Sequence, residues 1–166
     1  MTRLLSTKTF ALALGLAILV AGPVLAEDVI RHTNPNSNFP IARAVEIPAG
    51  KTTIYLSGAV PSVVDESADR ATPAAYGDME TQTTSVLQSI EKTLADLGLG
   101  LGDVVKMQAY LVAPDGKLDF EGFMKGYTKF FGTEAQPNLP ARSVMTVAGL
   151  VSPGWLVEIE VTAVRP

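Results

Sequence analysis

Arg142, Glu158 and Glu160 are the side chains whose types and spacing suggest chemistry. Arg142 stands near the start of an alternating run, Ala141 to Val147, and the two glutamates lie in a second run, Trp155 to Val164. A guanidinium takes a carboxylate through two parallel hydrogen bonds, and a glutamate beside it can hold a water or move a proton. Ser152-Pro153-Gly154 separates the runs as a turn, which predicts two connected strands. In the second strand Val157, Ile159, Val161 and Ala163 share one face, while Glu158, Glu160 and Thr162 share the other. Arg142 and a carboxylate are therefore expected on the same side of one sheet, with room for an anionic substrate and a water. From the strand pattern alone, the same pair reads equally well as a surface or interface salt bridge.

The preceding chain supplies the elements that must position these groups. Ile41 to Ile47 and Thr52 to Ser57 read as two strands joined through Pro48-Ala49-Gly50, a predicted hairpin. Pro61 to Gly77 is a long connection, either a surface insertion or a cover for a site. Asp78 reads as a helix cap; Met79, Thr83, Val86, Leu87, Ile90, Leu94 and Leu97 follow as one helical stripe, ended by Gly98. The glycines of Leu99 to Asp103 lack the strand before and the Lys-Ser/Thr after that a phosphate loop requires, so this segment reads as a turn. Val104 to Val112 is a third strand, and Lys117 to Phe131 a second helix whose aromatic residues follow the helical period of a core face. The order ββαβαββ predicts an α+β fold with two helices on one face of a mostly antiparallel sheet. Val144 and Thr146 share parity with Arg142, so the opposite face is expected to be partly apolar and to meet other copies.

Composition narrows the functions open to this fold. The 166 residues suggest one folded domain. Arg3 and Lys8, the apolar run Phe10 to Val20 and Val24-Leu25-Ala26 form the pattern of a cleaved secretory signal over residues 1–26. Residues 27–40 then read as a flexible arm and 41–166 as the domain, with a periplasmic or secreted location and no membrane attachment after cleavage. Loss of the signal removes two basic residues and no acid, which takes the net charge from −4 to −6. An acidic chain without basic clusters argues against nucleic-acid binding. The absence of cysteine excludes thiol catalysis and thiolate metal sites, and His32, the single histidine, reads as a solvated side chain of the arm.

Pro140-Ala141-Arg142-Ser143, followed by Val157-Glu158-Ile159-Glu160 and Ala163-Val164, resembles the RidA (YjgF) family of imine and enamine deaminases. Ser57-Gly58, Gln82, Gly98-Leu99, Gly102-Asp103-Val104-Val105-Lys106, Tyr127 and Phe130-Phe131 extend the resemblance over roughly residues 40–166. The resemblance implies a chorismate-mutase-like homotrimer with clefts between subunits and no cofactor. It also implies hydrolysis of 2-imino acids, or their enamine tautomers, to 2-keto acids and ammonia. In that reading Arg142 grips the substrate carboxylate and Glu158 holds or activates water. Ser57, Gly58, Ser143 and Val144 line the pocket, with Ile41 and Met124 at two further pocket positions. Many members carry tyrosine where this chain has Ile41, asparagine where it has Met124, and cysteine where it has Val144. These departures imply a more apolar pocket and a substrate other than the smallest imino acids. The alternative they motivate is a ligand-binding or chaperone-like protein of the same fold.

Overall fold

The computed structural model describes residues 28–166. The segment read as a secretory signal lies outside the described residues.

Helix α1 (Met79–Asp96) begins where Asp78 accepts a hydrogen bond from the Thr81 amide at 2.9 Å. Such a cap stabilises a helix by about 1 kcal/mol. Met79, Thr83, Val86, Leu87, Ile90 and Leu94 are buried, whereas Leu97 is 43% exposed. It caps the C-terminus, after which Gly98 turns the chain at φ +71. The apolar stripe is therefore one residue shorter than the periodicity predicts. Helix α2 (Phe120–Tyr127) is shorter than expected, because Asp119 caps it through the Gly122 amide at 2.8 Å and leaves Lys117 and Leu118 outside. Phe123, Tyr127 and Phe131 nonetheless stack in sequence, with ring centroids 6.1 and 5.0 Å apart, and all three are buried.

The main sheet contains β3 (Thr53–Tyr55), β4 (Val104–Val112), β5 (Ala141–Val147) and β6 (Val157–Val164), in the order β3-β6-β4-β5. The strands pair antiparallel except for β4 and β5, which run parallel. Met107, Ala109 and Leu111 of β4 and Val157, Ile159 and Val161 of β6 form its buried face beneath the helices. This is an α+β arrangement of two helices on a mixed sheet. The expected direct pairing of the last two strands does not occur, because β4 lies between them. The expected N-terminal hairpin is also absent. Strand β2 (Ala44–Glu46) pairs with β1 (Ile30–His32) in a separate two-stranded sheet, while β3 pairs with β6.

Strand β1 falls within the segment expected to be a flexible arm, and one side chain explains its position. Arg31 donates to the carbonyl oxygens of Val104, Leu139 and Gly102 at 2.9, 2.8 and 2.7 Å. The Pro61–Gly77 connection is likewise docked. The Tyr76 ring meets Trp155 edge-on, and Gly154 packs so closely on Arg70 and Thr72 that a Cβ there would lie 2.8 and 2.7 Å from their carbonyl oxygens. Gln82 completes this brace: its amide donates to Gly77 and Gly154 carbonyls and accepts from the Leu156 amide. A buried side-chain amide is stable when its donors and acceptor are satisfied in this way.

Candidate functional site

Arg142 reaches its position because β5 runs parallel to β4 with Arg142 opposite Met107. Neighbouring residues in register share a sheet face, so Arg142 points to the helix side, as Met107 does. Its Cζ lies 4.1 Å from the Tyr127 ring centroid, 5.3 Å from that of Phe123 and 5.4 Å from that of Phe39. Guanidinium groups are attracted to aromatic faces at these distances. Nη2 approaches the Met124 sulfur at 3.3 Å, a weak acceptor, and Nη1 is buried with no partner among the described residues. Burial lowers the Arg142 pKa, while the guanidinium group keeps its charge through the ordinary pH range. Burial also pushes the Tyr127 phenol up to about 12. That hydroxyl donates to the Pro40 carbonyl at 2.9 Å, which fixes the Phe39-Pro40-Ile41 segment beside the arginine. A buried cationic donor without an acceptor is costly, and an anion brought to the guanidinium would offset that cost.

Glu158 occupies the other side of the sheet. It is in register with Tyr110 on β4, one position out of phase with the buried Ala109–Ile159 pair. Its side chain folds over Gly58, and a Cβ at Gly58 would overlap the Glu158 carboxylate oxygen. Gly58 is held in place by its neighbour Ala59, which exchanges two backbone hydrogen bonds with Ile159 at 2.8 and 3.1 Å. On the same face Glu160 accepts hydrogen bonds from Gln108 and from the Tyr110 hydroxyl. The bond to Glu160 holds the Tyr110 phenol above its usual range. Lys106 donates to Ser143 Oγ at 3.2 Å.

The structure thus brings the expected residues together in two groups. Arg142, Met124 and Val144 lie on the helix side, with Ile41 at the end of the Phe39–Pro40 segment. Gly58 and Glu158 meet on the other side, with Ser57 beside Gly58 in the chain, and Ser143 faces Lys106 there. The expectation that Arg142 and Glu158 share a face is corrected. Val144 and Thr146 likewise pair with Ala109 and Leu111 and face the helices, so the open face is formed at β5 by Ser143, Met145 and Val147. Phe39 was not expected at the site, because it lies in the segment read as a flexible arm. Phe123 and Tyr127 were read as core, and their helical spacing alone cannot show that one ring edge of that core carries a charge.

The chain matches the profile of a protein family described as Endoribonuclease L-PSP over residues 33–165. It is 30% identical over 138 residues to a RutC family protein of Haemophilus influenzae, covering 82% of this chain and 96% of that one. Among solved structures, a member of the YjgF/YER057c/UK114 family from Mycobacterium tuberculosis superposes with a TM-score of 0.52 at 25% identity, covering 83% of this chain and all of that one. A YjgF family protein from Neisseria meningitidis gives a TM-score of 0.51 at 26% identity, over 86% of this chain and 98% of the other.

Proposed function

Because the chain belongs to the Endoribonuclease L-PSP (YjgF/RutC) family, we propose that it is a cofactor-independent deaminase. It would convert reactive 2-imino acids, or their enamine tautomers, to 2-keto acids and ammonia. The observation that carries this reading is the Arg142 guanidinium, stacked on Tyr127 with no acidic partner among the described residues and with Nη1 unpaired, a charge and shape suited to a carboxylate. An imine carbon is already electrophilic, so the reaction asks only for orientation, a placed water and proton transfer. Arg142 supplies the first, and Glu158, set against Gly58, supplies the rest.

Since Arg142 and Glu158 face opposite ways, the proposed site joins the arginine of one copy to the glutamate of another. A homotrimer with three such clefts accommodates this. The open sheet face, with Met145 39% exposed and Tyr55 80% exposed, provides surface for the contact. So does the outer edge of β5, where the only pairing among the described residues is the Ala42–Ala141 bridge. The name endoribonuclease gains no support from the side chains. Acids outnumber bases, and His32 is paired with Glu46 at 2.6 Å, not with a candidate site residue.

A second reading, a non-catalytic binder of small carboxylates, is favoured by Met124, whose sulfur occupies one donor direction of Arg142. One experiment separates the two. Short-lived imino acids are generated by an amino-acid oxidase with residues 27–166, and imine loss is followed beside the Arg142→Ala variant. The deaminase reading expects acceleration that falls at least a hundredfold in the variant while oligomeric state is kept. Unaccelerated decay with carboxylate binding that disappears in the variant selects the binder. In keeping with the leader-like residues 1–26, we place this activity outside the cytoplasm, testable by fractionation of cells expressing the full chain.

A further inference from the structure

Besides the Tyr127 and Phe123 rings, Phe39 and Met124 touch the Arg142 guanidinium and Val144 lies next along its strand face. The Phe39 ring centroid is 5.4 Å from Cζ, the Met124 sulfur is 3.3 Å from Nη2, and Val144 follows on the same face of β5. Phe39 is the exposed one, at 45%. Its own backbone is held by short-range bonds only, from the Phe39 amide to Ser37 Oγ at 3.1 Å and from the Ile41 amide to the Phe39 carbonyl at 2.8 Å. Firm anchors begin one residue later, where Pro40 accepts from Tyr127, and at Ala42, whose amide donates to Pro140. A large ring thus stays half in water while it helps to hide a cationic donor that has no acceptor. A ligand carrying both a carboxylate and an apolar chain relieves both defects at once: the carboxylate neutralises the guanidinium and the chain covers the ring.

We propose that Phe39 is a specificity-determining residue. With Met124 and Val144 it forms an apolar wall beside Arg142, so that the site takes 2-imino acids with a sizeable apolar side chain in preference to small ones. This rests on the deaminase reading above. A hydrophobic pocket discriminates by roughly tenfold or more for each methylene it buries, so a leucine-derived imine should outcompete an alanine-derived imine by at least about tenfold in kcat/KM.

The test measures that ratio for wild type, Phe39→Leu and Phe39→Ala. In parallel, calorimetry follows binding of two product-class acids, 4-methyl-2-oxopentanoate and pyruvate. The wall predicts a high ratio in wild type, an intermediate one in Phe39→Leu and the lowest, at least about fivefold below wild type, in Phe39→Ala, with the change carried mainly by KM. A wild-type ratio near one, or equal losses for both imines in Phe39→Ala, overturns it while leaving the deaminase reading intact. If no imine is turned over, the deaminase reading falls and calorimetry decides the wall alone. Tighter binding of the branched acid that levels off in Phe39→Ala supports it; equal binding, or none, overturns it.

Discussion

Replacing Gly58 with alanine should separate catalysis from stability. The backbone at Gly58 lies outside the left-handed region, so alanine fits it without strain. The added Cβ overlaps Oε1 of Glu158 and sits 2.9 Å from Cδ and 3.1 Å from Cγ, against an ordinary carbon–carbon contact of about 3.5–4.0 Å. Only the end of a flexible, half-exposed side chain has to yield. Rotating it costs about 0.5–1.5 kcal/mol, so the folded state should lose no more than about 1.5 kcal/mol. The carboxylate, however, must move by the order of an ångström, and a displacement of that size costs about a hundredfold in rate, or about 2.7 kcal/mol in barrier height. Imine hydrolysis and urea denaturation measured on one preparation give both quantities. Gly154→Ala is the comparison, since there the Cβ meets the Thr72 and Arg70 carbonyl oxygens at 2.7 and 2.8 Å and the Tyr76 ring at 2.7 Å. Backbone cannot rotate away, and about 1–3 kcal/mol of stability should be lost. Wild-type turnover in Gly58→Ala, or a stability loss matching that of Gly154→Ala, would refute the placement of Glu158 over Gly58.

Two further substitutions test the supports of the arginine. Arg31→Ala removes three hydrogen bonds to carbonyl oxygens and should release β1 from the start of β4. Amide exchange at Ile30–His32 and Ala44–Glu46 should quicken at least tenfold while α1 keeps its protection, and unchanged exchange would count against the anchor. In Tyr127→Phe the hydrogen bond to Pro40 is lost, at about 1 kcal/mol near neutral pH. Burial holds the folded phenol at about 12 against an ordinary 10.0, so its contribution is intact below pH 10 and is lost as pH rises through 12. Two units correspond to about 2–3 kcal/mol, so urea midpoints should fall more steeply between pH 10 and 12 in wild type than in Tyr127→Phe. Parallel declines would show that Tyr127 is not the titrating group.

Helix α1 was legible because a cap, a 3.6-residue stripe and a terminal glycine all mark the same segment, and β4 and β5 begin and end where their alternation does. The pairing was not legible. A turn at Ser152–Gly154 suggests that its flanking strands are neighbours, but β4 takes the space between them, and nothing local to either strand encodes that insertion. Alternation also separates two faces without saying which one is covered. On β6 the aliphatic set settles the matter, whereas on β5 both sets mix polar and apolar residues, and only the pairing of Arg142 with Met107 decides. The contact of Glu158 with Gly58 was not legible: the resemblance implies only that both belong to one pocket, and they stand a hundred residues apart. Phe39 was missed because its segment is fixed beside Arg142 through the hydrogen bond from Tyr127 to Pro40, a long-range contact of which a composition rich in Asn, Ser and Pro gives no sign.

The insertion of β4 between β5 and β6 also bears on when the protein can work. In a solitary chain Arg142 and Glu158 face away from each other across one layer of backbone, and no side-chain rotation brings them together. On the proposed two-copy site, output would be set by how many contacts between chains are complete, not by how many chains are folded. Specific activity should be constant at high concentration and fall steeply on dilution below the assembly constant, while each chain keeps its fold. Equimolar mixtures of Arg142→Ala and Glu158→Ala chains should recover part of the activity that each lacks alone, because some mixed contacts pair an intact arginine with an intact glutamate.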